Sequence, residues 1–272
     1  MAPAPLIGCD FSSSPTVRKP IVIAEGSESA GRVLLTRLHR IPTLDEFGSW
    51  LAVVRRWTGA FDFPFGLPRE LVVHLAWPLQ WRALIEHYGA LGRPEIRDLF
   101  AAFCDARPVG GKFAHRRADR PAGSSPSMKW VNPPVAYMLH AGVPRLLAAG
   151  VHIPGLHAGD EKRVALEGYP GLLAREVLGQ RSYKSDDKAK QTAARLIARK
   201  DLITALEHGQ TRLAMRLKVS HAQRDALIDD ASGDSMDAVL CLMQAAWGAK
   251  QGAPRYGLPE EMDALEGWIV TA

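Results

Sequence analysis

The chain has 272 residues, 47% of them hydrophobic, and a formal net charge of +5. That apolar content supports a substantial core and argues against wholesale disorder, while the length suits one large domain or two small ones. No apolar stretch reaches the roughly 20 residues of a membrane-spanning helix, and no basic segment precedes an apolar run at the N-terminus, so a cytoplasmic protein with no membrane partner is expected.

The first 63 residues read as β-rich, with strands over 5–11, 19–24 and 31–38. Ser13, Ser14 and Pro15 suit the first turn, and Gly26 through Gly31 suit a loop after the second strand. Connections this short favour an antiparallel meander. Thr43 and Glu46 form a capping-box signature for a helix at 43–54, whose Leu44, Phe47, Leu51 and Val54 fall at helical spacing. A strand at 59–63 follows.

Residues 68–105 read as helical, with Leu71, Leu75, Leu84 and Tyr88 directed inward. Residues 106–130 are rich in Gly, Pro, Ser and Arg and read as a mobile loop. A helix from Val135 to Ala149, interrupted or started by Pro144, leads to strands at 150–154 and 163–168. Helices are expected at 170–178, 186–207, 211–230 and 234–248. The tail from Glu266 to Val270 reads as an edge strand or a docked extension. Antiparallel strands followed by alternating strands and helices define an α/β fold. Residues 1–272 are expected to form one domain with a helical and loop insertion at 68–130.

Most familiar catalytic signatures are missing. Gly110-Gly111-Lys112 lacks the upstream glycine and the hydroxyl of a phosphate-binding loop. No nucleophile elbow and no His-Glu-x-x-His motif occurs. His152 and His157 flank Pro154-Gly155 and read as loop residues. Cys9, Cys104 and Cys241 are scattered and include no Cys-x-x-Cys, which points to buried reduced thiols rather than a zinc site or disulfides.

The carboxylates are more informative. Asp10, Asp62 and Glu167 end apolar strand-like runs, and Asp237 lies at the opening of an apolar helix. A carboxylate at the edge of a buried segment is costly to desolvate unless paired. Several such groups from distant parts of the chain suggest a shared site that a cation holds together. Hard oxygen donors suit Mg²⁺ or Mn²⁺. Asp234 shares a helix face with Asp237 and is a further candidate ligand. It serves equally as an N-cap with Asp237 as its N3 partner. Glu46 is explained by its cap.

One segment carries a family likeness. Ala60-Phe61-Asp62-Phe63-Pro64-Phe65-Gly66-Leu67-Pro68 matches the D-x-P-x-G-L-P pattern of the DUF429 family. The run Ile7-Gly8-Cys9-Asp10, then Glu167-Gly168-Tyr169-Pro170, and Asp234-Ser235-Met236-Asp237-Ala238 resemble its other landmarks, so the likeness spans residues 6 to 248. The last motif is also similar to the final acidic motif of Holliday-junction resolvases. The resemblance implies a ribonuclease H-like mixed sheet with flanking helices and an acidic, metal-dependent nuclease site. Asp10 would match the first-strand aspartate that bridges two ions. Asp62, Glu167 and Asp237 would complete the catalytic set.

The expected activity is hydrolysis of nucleic-acid phosphodiester bonds with Mg²⁺ or Mn²⁺. Two alternatives use the same site: a non-catalytic nucleic-acid-binding or assembly module, and a hydrolase of a small phosphorylated substrate. Arg181, Tyr183, Lys184, Lys188 and Arg195 are the candidate nucleic-acid contacts, Tyr183 by stacking and the others by phosphate pairing. Lys188 and Arg195, with Arg199, would share one face of the helix at 186–207. A solvated helix face has the same pattern.

Overall fold

The computed structural model describes residues 5–53 and 56–272; Val54 of the first predicted helix lies outside them. Three strands open the chain, β1 (Leu6–Asp10), β2 (Ile21–Ser29) and β3 (Arg32–Ile41), and they form the expected antiparallel meander. The loop expected from Gly26 is instead strand, with a register shift between Glu25 and Gly26. Only Ala30 and Gly31 turn, at φ 51° and 75°. Positive φ at both positions is the two-residue hairpin geometry whose twist matches that of its strands.

Helix α1 (Leu44–Val53) begins at the predicted cap, where the Glu46 N–H donates to Thr43 Oγ1 at 3.1 Å. Strand β4 (Trp57–Phe61) follows. The helical stretch after it is broken into α2 (Arg69–His74), α3 (Trp81–Ala90) and α4 (Arg93–Asp105). Leu71, Leu84 and Tyr88 are fully buried there, as expected.

Residues 106–130 are not the free loop their composition suggests. They carry a short helix, α5 (Asp119–Ala122), and bury Ala114, Arg116, Ala118, Asp119, Ala122, Ser127 and Met128. Arg116 and Asp119 satisfy one another in the interior, which lets a polar segment dock. Helix α6 (Val135–Ala148) runs through Pro144 without interruption.

Strands β5 (Val151–His152) and β6 (Asp160–Glu167) then lead to α7 (Pro170–Leu178). The helix expected over 186–207 starts late: a 3-10 turn occupies Lys188–Lys190, and α8 spans Ala193–His208. The helix expected over 211–230 is two elements, strand β7 (Arg216–Lys218) and α9 (His221–Asp229). Helix α10 (Asp234–Gln251) is nearly all buried. The tail docks as an extension, joined by one parallel bridge from Glu167 to Ile269.

The sheet order is β5-β6-β4-β1-β2-β3-β7. β1, β4, β6 and β5 are parallel neighbours in turn, and β3 pairs parallel with β7. A meander continuing into parallel strands, with helices on both faces, is an α/β arrangement consistent with the ribonuclease H-like fold. No helix among the described residues is long and apolar enough to cross a membrane.

Residue parity assigns the two faces. Ile7, Cys9, Phe61 and Ala165 pack in the core with α1, α3 and α6. Leu6 packs with α7, α8, α9 and α10, and Ala60, Val164 and Leu166 pack with Cys241 and Ala245 of α10. Alternation along a strand therefore sends Asp10, in phase with Leu6 and Gly8, and Asp62, in phase with Ala60, toward α10. Glu167, in phase with Ala165, goes to the other face.

Candidate metal centre

Asp10 closes β1, and Asp62 is the first residue after β4. The Asp62 N–H donates to Cys9 O at 2.9 Å, which locks the two strand ends side by side. This is the carboxyl end of parallel strands beside the point where the sheet changes direction, a favoured ligand position in open α/β sheets.

Asp237 arrives from α10, and Gly8 determines how close that helix comes. A Cβ at Gly8 would stand 2.0 Å from Ala238 O and 2.1 Å from Leu242 N. Only glycine lets the helix backbone lie on β1 there, one residue from Asp237.

One carboxylate oxygen from each of Asp10, Asp62 and Asp237 lies within 4.8 Å of the others. Asp237 is fully buried, while Asp10 and Asp62 are half-buried. Asp10 and Asp62 line a cavity of about 560 Å³, together with Lys19, Arg116, Glu167 and Lys184. Its lining therefore carries both acidic and basic groups.

The electrostatics show what such a cluster costs. Burial, then the neighbouring Asp237, pushes the Asp62 carboxyl up to about 7. The same two causes hold Asp10 well above the usual carboxylate range. Burial also raises Asp237, against the lowering effect of Lys184. Three hard oxygen donors in mutual repulsion fit a divalent cation, which relieves that repulsion.

The linkage gives a testable sign. Asp62 has a folded value of about 7, above the roughly 3.9 of an unfolded aspartate. Between the two values the native state binds more protons than the unfolded state, so stability falls as pH rises through that window. With EDTA present, the melting temperature is expected to fall from about pH 5 to pH 8. Asp62→Asn should flatten the fall, and saturating Mn²⁺ should offset it. A flat metal-free profile in the wild type would contradict this electrostatic description.

The other predicted residues occupy different places. Glu167 lies outside the cluster of three, and its carboxylate is claimed by other partners. Arg116 Nη2 donates to its Oε1 at 2.6 Å, Arg116 Nη1 to its Oε2 at 2.8 Å, and the Phe65 N–H to Oε2 at 2.9 Å. Asp234 lines the same cavity but lies outside the cluster of three, and it is not the cap. Gly233 is the N-cap of α10, Asp230 Oδ2 accepts from the Ser235 N–H at 2.9 Å, and Asp234 accepts from Lys19 Nζ at 3.0 Å.

Tyr183 is buried and unavailable for stacking; its hydroxyl donates to Asp237 Oδ1. Lys184 is drawn into the cluster, where its ammonium donates to Asp237 Oδ2. Burial alone would lower that lysine, but Asp237, Tyr183 and Asp10 together hold it well above its ordinary value. Arg199 is buried beneath, donating to Ile228 O at 2.5 Å and Tyr183 O at 2.8 Å, so it belongs to no phosphate stripe. Arg181 pairs with Asp201 at 2.7 Å, Lys188 is exposed on its 3-10 turn, and Arg195 donates to Lys190 O at 2.6 Å. The three cysteines are free and buried, as expected.

Sequence reasoning missed Lys19, which bridges Asp234 and Asp186 on the cavity wall. It missed Arg116 as the counter-ion of Glu167. Neither lies in a recognisable motif. Comparisons with protein-family models, curated proteins and solved structures found no match for this chain.

Proposed function

We propose that the protein is a metal-dependent nuclease of ribonuclease H-like architecture, related to the DUF429 family, that hydrolyses nucleic-acid phosphodiester bonds. The observation that carries this reading is the convergence of Asp10, Asp62 and Asp237 from three distant parts of the chain, the first two of them lining a cavity. These three side chains would hold Mg²⁺ or Mn²⁺. When bound, the ion supplies charge neutralisation and Lewis acidity toward a phosphodiester.

The rest of the site does work of its own. Tyr183 and Lys184 orient Asp237 by hydrogen bonds to both its oxygens. Lys19 and Lys184 put positive charge on the cavity wall, where a phosphate backbone would run. Lys188 and Arg195, which are not in the cavity lining, would be further phosphate contacts in this proposal. Glu167 takes no ligand role in this proposal. It anchors Arg116 and the segment around it.

The test is cleavage of single- and double-stranded DNA and RNA oligonucleotides in Mn²⁺ or Mg²⁺, against EDTA. Ion-dependent cleavage of at least one polymer is the expected result. Salt-sensitive binding without turnover would replace this proposal with a binding module, and hydrolysis confined to mononucleotides with a small-substrate hydrolase.

A further inference from the structure

The metal reading uses the carboxylates and lysines of the cavity and leaves its apolar lining unused. Part of that lining comes from the start of α6 and the residues just before it. Pro133, Pro134, Val135 and Met138 all line the cavity, and the two prolines are exposed. Val135 and Met138 are three residues apart, which places them on one helix face. Between them, Ala136 is fully buried and the Tyr137 hydroxyl donates to Arg93 O at 3.2 Å, so these two residues are taken up by other neighbours. Phe11 and Phe63 also line the cavity, with ring centroids 4.6 Å apart. Each directly follows a carboxylate of the cluster, Asp10 or Asp62, so apolar surface begins one residue from the metal centre.

The cations of the same cavity already have carboxylate partners. Lys19 pairs with Asp186 and Asp234, Lys184 with Asp237, and Arg116 with Asp119 and Glu167. Two hydroxyls have none. Ser13 lines the cavity and is 8% exposed; its carbonyl accepts from Arg93 Nη2 at 2.6 Å, but its hydroxyl makes no hydrogen bond among the described residues. Ser125 lines the cavity too, and its hydroxyl is equally without a partner among them.

An apolar strip with free hydroxyls beside a metal centre matches one nucleotide: a flat apolar face, polar edges and a phosphate. The cavity of about 560 Å³ falls within the roughly 300–1,000 Å³ of sites that enclose a small ligand. In a duplex, neighbouring bases cover both faces of each base. This strip can touch a base only after the base has left the stack.

We infer that the cavity seats one unpaired nucleotide, its base against the strip at 133–138 and its phosphate toward Asp10 and Asp62, so that the substrate is single-stranded nucleic acid. The hydroxyls of Ser13 and Ser125 serve its polar edges. The inference rests on the nuclease reading above and narrows it.

The experiment is anisotropy titration in Mn²⁺ of short labelled phosphorothioate strands of DNA and of RNA, which resist hydrolysis, alone and annealed to their complements. Wild type is expected to bind at least one of the two about tenfold or more tightly single-stranded than paired, because the duplex must first unstack a base. Val135→Ala/Met138→Ala truncates the strip and is expected to weaken single-strand binding by about tenfold, a usual loss when a base loses its stacking surface. Its Mn²⁺ affinity, read by calorimetry, should stay within about threefold of wild type, since the strip holds no ligand. Val135→Ile/Met138→Leu keeps the apolar surface and should bind the single strand within about threefold of wild type. Thermal melting establishes that each variant folds. If the double alanine variant does not, Val135→Ala and the wild-type preference decide.

Equal or tighter binding of the duplexes by wild type would overturn the subsite. So would unchanged single-strand binding by the folded alanine variant, or a parallel loss of its Mn²⁺ affinity. In each case ion-dependent cleavage of ordinary DNA or RNA by wild type would leave the nuclease reading standing. A wild type that neither binds nor cleaves any of these polymers would overturn both.

Discussion

An Asp10→Asn/Asp237→Asn double variant is expected to bind Mn²⁺ more than about a hundredfold more weakly than wild type, since even outer-shell losses cost 10–100-fold, and to lose any ion-dependent cleavage. The two carboxylates sit on elements that approach each other only because Gly8 has no side chain. Their separation is therefore fixed by backbone packing rather than by the ion. Asparagine keeps the shape and retains an oxygen to accept the Tyr183 hydroxyl, so the fold should survive. It removes the charge that hard cations require.

The metal-free variant should also lose part of the pH-dependent instability of wild type, because burial disfavours the ionised form of both carboxyls. Calorimetric titration measures the binding, and thermal melting in EDTA measures the second effect. Undiminished Mn²⁺ binding in the folded double variant would place the ion elsewhere and remove the basis of the nuclease proposal.

Asp10 and Asp62 were legible in the sequence because both close apolar runs, and Asp237 because it lies at the opening of an apolar helix; in the fold, Asp10 and Asp62 are in phase with residues facing α10. Glu167 closes a similar run, but it is out of phase. In the parallel pairing of β4 with β6 it stands beside Phe61, whose ring faces the opposite core. End-of-strand position alone does not reveal this difference; the register between strands does.

The same lesson applies to β7. Thr211, Leu213, Met215 and Leu217 are buried, and Arg212, Ala214, Arg216 and Lys218 between them are exposed. That is the alternation of a strand, hidden inside a span that reads as helix because helices flank it. Arg199 shows the opposite failure. Its spacing from Arg195 suits a solvated stripe, yet it is buried against backbone carbonyls of Tyr183 and Ile228. No local pattern encodes a partner 16 or 29 residues away. Lys184 was legible as a basic residue and not as part of the carboxylate site, for the same reason: Asp237, which it pairs with, is distant in the chain.

Arg116→Met is expected to destabilise the protein by about 3–5 kcal/mol, the usual cost of leaving a buried charge without its partner. Urea denaturation measures it. Arg116 is 2% exposed and serves Glu167, Asp119 and the Glu266 carbonyl at once. Methionine fills much of the volume but strands two buried carboxylates. The segment from Ala114 to Met128 is polar in composition and docks through these contacts, so it should become sensitive to protease as stability falls.

Adding Glu167→Gln and Asp119→Asn should recover part of the loss, because an amide is less costly to bury than an unpaired carboxylate. The variant also separates the two roles open to Glu167. As an anchor for Arg116, it leaves Mn²⁺ affinity of the folded Arg116→Met protein within about threefold of wild type. As a ligand held in check by the arginine, it would be released, and affinity would rise by about tenfold or more. The hydrogen bonds to Arg116 and Phe65 occupy both of its oxygens on the face of the sheet opposite Asp237, and they favour the anchor.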